Sequence, residues 1–323
     1  MSSEDVKDAQ PFVTTETITI NESTTTLPQQ PEINEPSEES MDQMDHGYIR
    51  APIDKNSLCY NMGHKRRGDA IIFHHVKYDP NLELKPREND KDLLEKLKIV
   101  LTDLDFTVIT CEDFTFKQIS KKITALATKV DHKNSDCILF VFMTHGYKGK
   151  LYAKDTHYNP ELLRSLFTSD KCPSLAGKPK IFIIQACRGD MPDTGTSLTR
   201  SMQTTRVSTS DETDGHKSQP FKMATQADFL IANSTVSNFT SYRTWFLQSF
   251  CDVLSSEEHR KDDFLSIMTT VQRKVAISFQ NDLGDKQIPS LTTMLTRKLY
   301  FTPKERKPQK HSKMSCITSN ISE

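Results

Sequence analysis

The sequence predicts an α/β fold: a mostly parallel sheet flanked by helices. Three observations carry that expectation. Apolar runs of strand length alternate with segments of helical period between residues 70 and 184. The run Cys137 to Met143 is apolar throughout, as in a strand covered on both faces. Strands joined through helices are connected by right-handed crossovers, which set parallel strands side by side.

The elements follow in order. Ala70-Ile-Ile-Phe73 reads as a short buried strand. From Asp90 to Leu104, apolar residues at 93, 94, 97, 100, 101 and 104 mark an amphipathic helix. Phe106 to Cys111 is a second strand, and Ile119, Ile123, Leu126 and Val130 mark a second helix. After the 137–143 strand come a short helix, Leu162 to Phe167, and a buried strand, Ile181 to Ile184. From Thr196 to Thr213, ten of eighteen residues are Ser or Thr and apolar periodicity stops, which predicts an exposed linker. Phe229 to Ile231 reads as a strand, 244–255 and 262–279 as amphipathic helices, and Thr293 to Phe301 as a final strand. The Lys304 to Lys313 segment is a basic tail, read as a solvated end.

Charge divides the 323 residues unevenly. The formal net charge is -1, which on average excludes a polyanion binder. Yet residues 1–45 hold eleven acidic residues against Lys7, a segment charge of -10, and the remaining 278 residues carry +9. The acidic segment has one aromatic residue, Phe12, too little apolar surface to offset chain entropy, and is expected to be disordered. No basic and apolar leader opens the chain. The longest apolar run is far below the roughly 20 residues of a membrane helix. Seven scattered cysteines fit a reducing, cytoplasmic compartment.

Two strands end in chemistry. The 138–143 run leads into Thr144-His145-Gly146, and the 181–184 run into Gln185-Ala186-Cys187-Arg188-Gly189. Sites form at the carboxyl ends of parallel strands, so neighbouring strands would bring His145 and Cys187 together. A thiol beside an imidazole can become a thiolate nucleophile. A glycine beside each residue lets a backbone amide approach a developing oxyanion.

Gln-Ala-Cys-Arg-Gly with an upstream His is the signature of the caspases. The chain resembles that family from roughly Tyr60 to Phe301. Tyr60 to Gly68, Leu151 to Asp155, Cys172 to Pro179, Ala227 to Leu230 and Gln287 to Leu291 look most like insect executioner caspases. The resemblance implies a caspase-like three-layer sandwich with a six-stranded sheet, split into large and small subunits. It also implies a dimer of such heterodimers paired through the final strand. It makes Cys187 the nucleophile, His145 the acid/base, and Gly146 and Cys187 the oxyanion amides. It places Arg87, Gln185 and Arg243 around the substrate aspartate, with Ser241 on the substrate backbone, and Arg suits a carboxylate because its planar fork binds both oxygens. Tyr242 and Trp245 fall on upstream sub-sites. Here the chain departs from the pattern: Ser-Tyr-Arg-Thr stands for Ser-Trp-Arg-Asn, about four residues are missing before Trp245, and the 281–286 loop is short. No cofactor and no metal are implied.

An aspartate-specific protease can be activated at its own aspartates. Asp211-Glu-Thr-Asp214 in the Ser/Thr-rich linker and Asp42-Gln-Met-Asp45 after the acidic segment fit, with Asp190 and Asp193 as further candidates. The expected division is a pro-segment 1–45, a large subunit 46–214 with processing linker 190–214, and a small subunit 215–323. A 45-residue polar pro-segment is short for a helical adaptor of about 80 to 100 residues, which favours an executioner activated by an initiator caspase. Implied partners are protein substrates and inhibitor-of-apoptosis proteins, with no nucleic acid and no membrane. Alternatives are a non-catalytic caspase-like regulator, an initiator type with a short pro-segment, and a metacaspase, whose basic preference would need an acidic pocket.

Overall fold

Four crossovers and one reversal build the sheet that positions the site. The computed structural model of the chain describes residues 51–196, 223–242 and 244–304. In chain order, β1 (Asp69–His74) is followed by α1 (Lys91–Asp103), β2 (Thr107–Glu112), α2 (Phe116–Lys129) and β3 (Ile138–Met143). A small antiparallel sheet comes next: β4 (Gly146–Tyr147), β5 (Lys150–Tyr152) and β6 (His157–Tyr158). Then come α3 (Glu161–Arg164), β7 (Lys180–Gln185), β8 (Phe229–Asn233), α4 (Trp245–Leu254), α5 (Phe264–Ser278) and β9 (Ser290–Thr293).

The main sheet has six strands in the order β2-β1-β3-β7-β8-β9. The first five run parallel, and β9 runs antiparallel to β8. β1, β3 and β7 are buried along their whole length, which explains their uninterrupted apolar runs. Alternate residues of β3 divide between two cores. Leu139, Val141 and Met143 join Leu97, Phe246, Phe250, Met268 and Val271, beneath α1, α4 and α5. Ile138, Phe140 and Phe142 join Ile119, Ile123, Leu163 and Phe167, beneath α2 and α3. The expected three layers follow from this period-two division.

Local signals set the helix starts. Thr115 and Gln118 form a capping box on α2. Asp263 caps α5 by accepting from the amides of Leu265 and Ser266.

The expected final strand, 293–301, is a correction. The strand is Ser290–Thr293, Met294 still bonds Asp228 and Phe229 at 2.7 Å, and the chain then leaves the sheet. The Lys298 amide donates to the Leu58 carbonyl at 2.8 Å, and the Tyr60 amide to the Lys298 carbonyl at 3.0 Å. Leu299 and Phe301 are buried, so the alternation that reads as a strand is real. Their segment pairs with residues 58–60 rather than with the sheet. The β4–β6 sheet lies outside the sequence reading, because two- and three-residue strands carry no detectable period.

Candidate active site

Parallel strands end on one edge, and that edge gathers the chemistry. β3 and β7 are neighbours in a register that pairs Met143 with Gln185. His145 and Cys187 each follow two residues later, so 42 intervening residues close onto adjacent strand ends. The Thr144 amide continues the ladder, donating to the Gln185 carbonyl at 3.2 Å. A Cβ at Gly146 would overlap the Cys187 carbonyl oxygen and lie 3.0 Å from the Ala186 Cβ. Only glycine lets the backbone pass that close to Cys187.

His145 is held on both its ring and its backbone. Its Nε2 lies 2.8 Å from the Lys85 carbonyl. A carbonyl only accepts, so Nε2 carries the hydrogen and Nδ1 is the basic nitrogen of the neutral ring. Its backbone amide donates to the Tyr78 hydroxyl at 3.2 Å, and the two rings lie 5.1 Å apart. Burial raises the Tyr78 pKa, so the hydroxyl stays protonated at neutral pH and shares a 3.0 Å hydrogen bond with Thr144 Oγ1.

Cys187 is half-buried. Its Sγ donates to the Ser241 carbonyl and accepts from the Ser241 amide, both at 3.4 Å. Ser241 therefore touches Cys187 through its main chain. Its side chain belongs to a buried relay. Gln185 Nε2 donates to Ser241 Oγ at 2.9 Å, Ser241 Oγ to Ser234 Oγ at 2.8 Å, and Ser234 Oγ to the Ala186 carbonyl at 2.9 Å. Gln185 Oε1 accepts from the Leu247 amide at 3.4 Å, which ties β7 to α4.

Arg87 is not the solvated charge that an isolated arginine would be: it is 3% exposed. Its Nε and Nη2 donate to Asp90 Oδ2 at 3.0 and 2.5 Å. His74, buried at the end of β1, feels both charges. Burial lowers its pKa, Asp90 opposes that shift, and Arg87 adds to it. Arg243, Asp45 and Asp214 lie outside the described residues.

The two atypical loops meet each other. Tyr242 stacks on Trp245 with centroids 4.2 Å apart, and Trp245 on Phe279 at 5.5 Å. The Tyr242 hydroxyl donates to Asp285 Oδ2 at 3.0 Å, and Asn281 Nδ2 donates to both, at 2.8 and 2.9 Å. Desolvation and the Asp285 carboxylate raise the Tyr242 pKa. The Tyr242 amide donates to Gln287 Oε1 at 2.6 Å, and Gln287 Nε2 to the Ser234 carbonyl at 2.6 Å.

Sequence reasoning finds Cys187, His145, Gly146, Gln185 and Ser241, which the fold brings together. It misses Tyr78, the Lys85 carbonyl, Ser234, Gln287 and Asp90. Gln287 had a signal, since it opens the Gln-Ile-Pro-Ser-Leu motif. Lys85 acts through its main chain, which leaves no mark on residue identity.

Known proteins share this arrangement. A family profile described as "Caspase domain" matches residues 67–300. Caspase-1 of Spodoptera frugiperda is 42% identical over 268 residues, 79% of this chain and 85% of that protein. Caspase drICE of Drosophila melanogaster is 43% identical over 267 residues, 79% of this chain and 76% of that protein. The crystal structure of the Spodoptera caspase-1 superposes with a TM-score of 0.71 at 39% identity, covering 80% of this chain and all of that one. With a thiol, an imidazole and a glycine at adjacent strand ends of this sheet, and a family match across most of its length, the chain belongs to the caspases and is a cysteine protease.

Proposed function

We propose that the chain is an executioner caspase, a cysteine endopeptidase that cuts proteins after aspartate during apoptosis. The observation that carries the reading is the β3–β7 register, which sets His145 and Cys187 side by side. His145 Nδ1 takes the Cys187 thiol proton, and the thiolate adds to the scissile carbonyl carbon. The Gly146 and Cys187 amides hold the resulting oxyanion. Collapse breaks the C–N bond, and the imidazolium gives its proton to the departing amine. A water, deprotonated by His145, then hydrolyses the thioester and restores the thiol. Arg87, Gln185 and Arg243 hold the substrate's aspartate, Ser241 meets its backbone, and Tyr242 and Trp245 line the positions upstream. The intact Cys187 and His145 disfavour a non-catalytic regulator.

The precursor is a zymogen in this reading. Cleavage after Asp214 separates subunits 46–214 and 215–323, and cleavage after Asp45 removes the acidic segment. An initiator caspase starts the process, inhibitor-of-apoptosis proteins restrain it, and two heterodimers pair along β9, an edge strand of the sheet. A cytoplasmic site of action fits. No helix among the described residues is long and apolar enough to cross a membrane.

One experiment tests the core of this. Wild type, Cys187→Ala and Asp214→Ala are expressed, run on a denaturing gel, and assayed on a positional library of peptides ending in Asp. Wild type should appear as two chains and cleave the peptides. Cys187→Ala should stay as one chain with no activity and an unchanged melting temperature. Asp214→Ala should lack the cut at 214. Near wild-type hydrolysis by Cys187→Ala would remove the nucleophile assignment.

A further inference from the structure

Asp90 lies at the start of α1. It closes a 3-10 turn, Glu88–Asp90, that runs into α1, and its backbone (φ -99°, ψ 0°) lies outside the extended region of a capping residue. Its side chain accepts no amide hydrogen bond from the first turn, although that of Asp263 does so on α5. Its carboxylate turns back three residues to Arg87. Asp90 is fully buried, and among the described residues its Oδ1 has no hydrogen-bond partner. A buried carboxylate with one oxygen unsatisfied is unfavourable. This side chain makes no bond to the α1 N-terminus that would account for its direction.

The geometry at Arg87 does. A guanidinium is a planar fork with five N–H donors. Asp90 Oδ2 takes the edge formed by Nε and Nη2. Among the described residues, Nη1 has no hydrogen-bond partner, so the Nη1/Nη2 edge remains for a second carboxylate in bidentate geometry. A free arginine side chain samples many rotamers. Fixing it before substrate arrives removes that ordering cost from binding.

We propose that Asp90 is a positioning residue: it holds Arg87 by one edge of the guanidinium, so that the other edge meets the substrate's aspartate carboxylate without rearrangement. The inference rests on the reading of Arg87 as a ligand of that aspartate. It concerns ground-state and transition-state binding alike, so its loss acts on KM and leaves kcat alone.

The test uses the self-processed full chain and a tetrapeptide ending in Asp. Asp90→Ala should raise KM about tenfold with kcat within twofold. Asp90→Asn keeps the shape and one acceptor oxygen, so it should raise KM about threefold. If the alanine variant does not fold, the asparagine variant decides. In an Arg87→Ala background, Asp90→Asn should change KM no further, because nothing is left to position. Wild-type KM in both Asp90 variants, with only a lowered melting temperature, would reduce the pair to a structural ion pair and overturn the proposal. An equal KM effect of Asp90→Asn with and without Arg87 would overturn it too. An unchanged KM in Arg87→Ala alone would remove the underlying assignment of Arg87. A raised KM there, with silent Asp90 variants, would remove only the role of Asp90.

Discussion

At Gly146 a single methyl group decides whether the site forms. A Cβ there collides with backbone, the Cys187 carbonyl, and lies 3.1 Å from the Lys150 carbonyl. Backbone cannot yield as a flexible side-chain tip can. Gly146→Ala should therefore displace the amide assigned to the oxyanion, and losing one such donor lowers kcat by about 10²- to 10³-fold. The check is kcat and KM on an Asp-ending peptide, beside a melting curve. Activity within tenfold of wild type would mean that this amide is not a donor to the oxyanion. Legibility at this scale divides by atom type. Cys187 and His145 carry reactive side chains at strand ends, so their identity and place announce them. Lys85 acts through a carbonyl that any residue would supply. Asp90 reads only as the start of a helical segment until the direction of its carboxylate is known.

Among the elements, the buried parallel strands were the most legible, because burial on both faces forces an apolar run with no gap. The 293–301 segment was less so. Its alternation reports burial but not the partner, and the partner is the 58–60 segment, more than 230 residues away in sequence. What anchors the end of that segment is a buried charge cluster invisible to periodicity. Asp136, fully buried, pairs with Arg67 at 2.9 Å, with His64 at 3.1 Å and with Lys304. Arg67 also donates to the Leu104 carbonyl at 3.0 Å and to the Thr302 carbonyl. Removing one partner of a buried pair strands the other, at about 3 to 5 kcal/mol. Asp136→Asn should lose about that much in urea unfolding. A loss under about 1 kcal/mol would show that water reaches Arg67.

Over the whole molecule, buried histidines set the response to acid. His74, His75 and His132 all have pKa values lowered chiefly by desolvation, His75 to about 4. The folded protein holds these rings neutral, whereas the unfolded chain takes up protons near pH 6.5. Stability should therefore fall as pH drops from about 6.5 towards 4, with His75 alone contributing up to about 3 kcal/mol. Urea midpoints at pH 7.5 and 5 measure this, and His75→Gln should flatten the difference. A midpoint independent of pH over that range would contradict it. The sheet itself has a last consequence. β7 and β8 pair over five residues, from Lys180–Phe229 to Ile184–Asn233, on opposite sides of Asp214. Tyr60 bonds Asp228 across the same divide at 2.7 Å, and Asp136 holds Lys304 there. A tether of modest length holds two parts at an effective concentration on the order of millimolar. Parts that share a sheet, two apolar cores and buried ion pairs do not depend on one. The proposed cut after Asp214 would turn one chain into two without turning one body into two, so the processed enzyme should withstand dilution far below the concentration its lost tether once enforced.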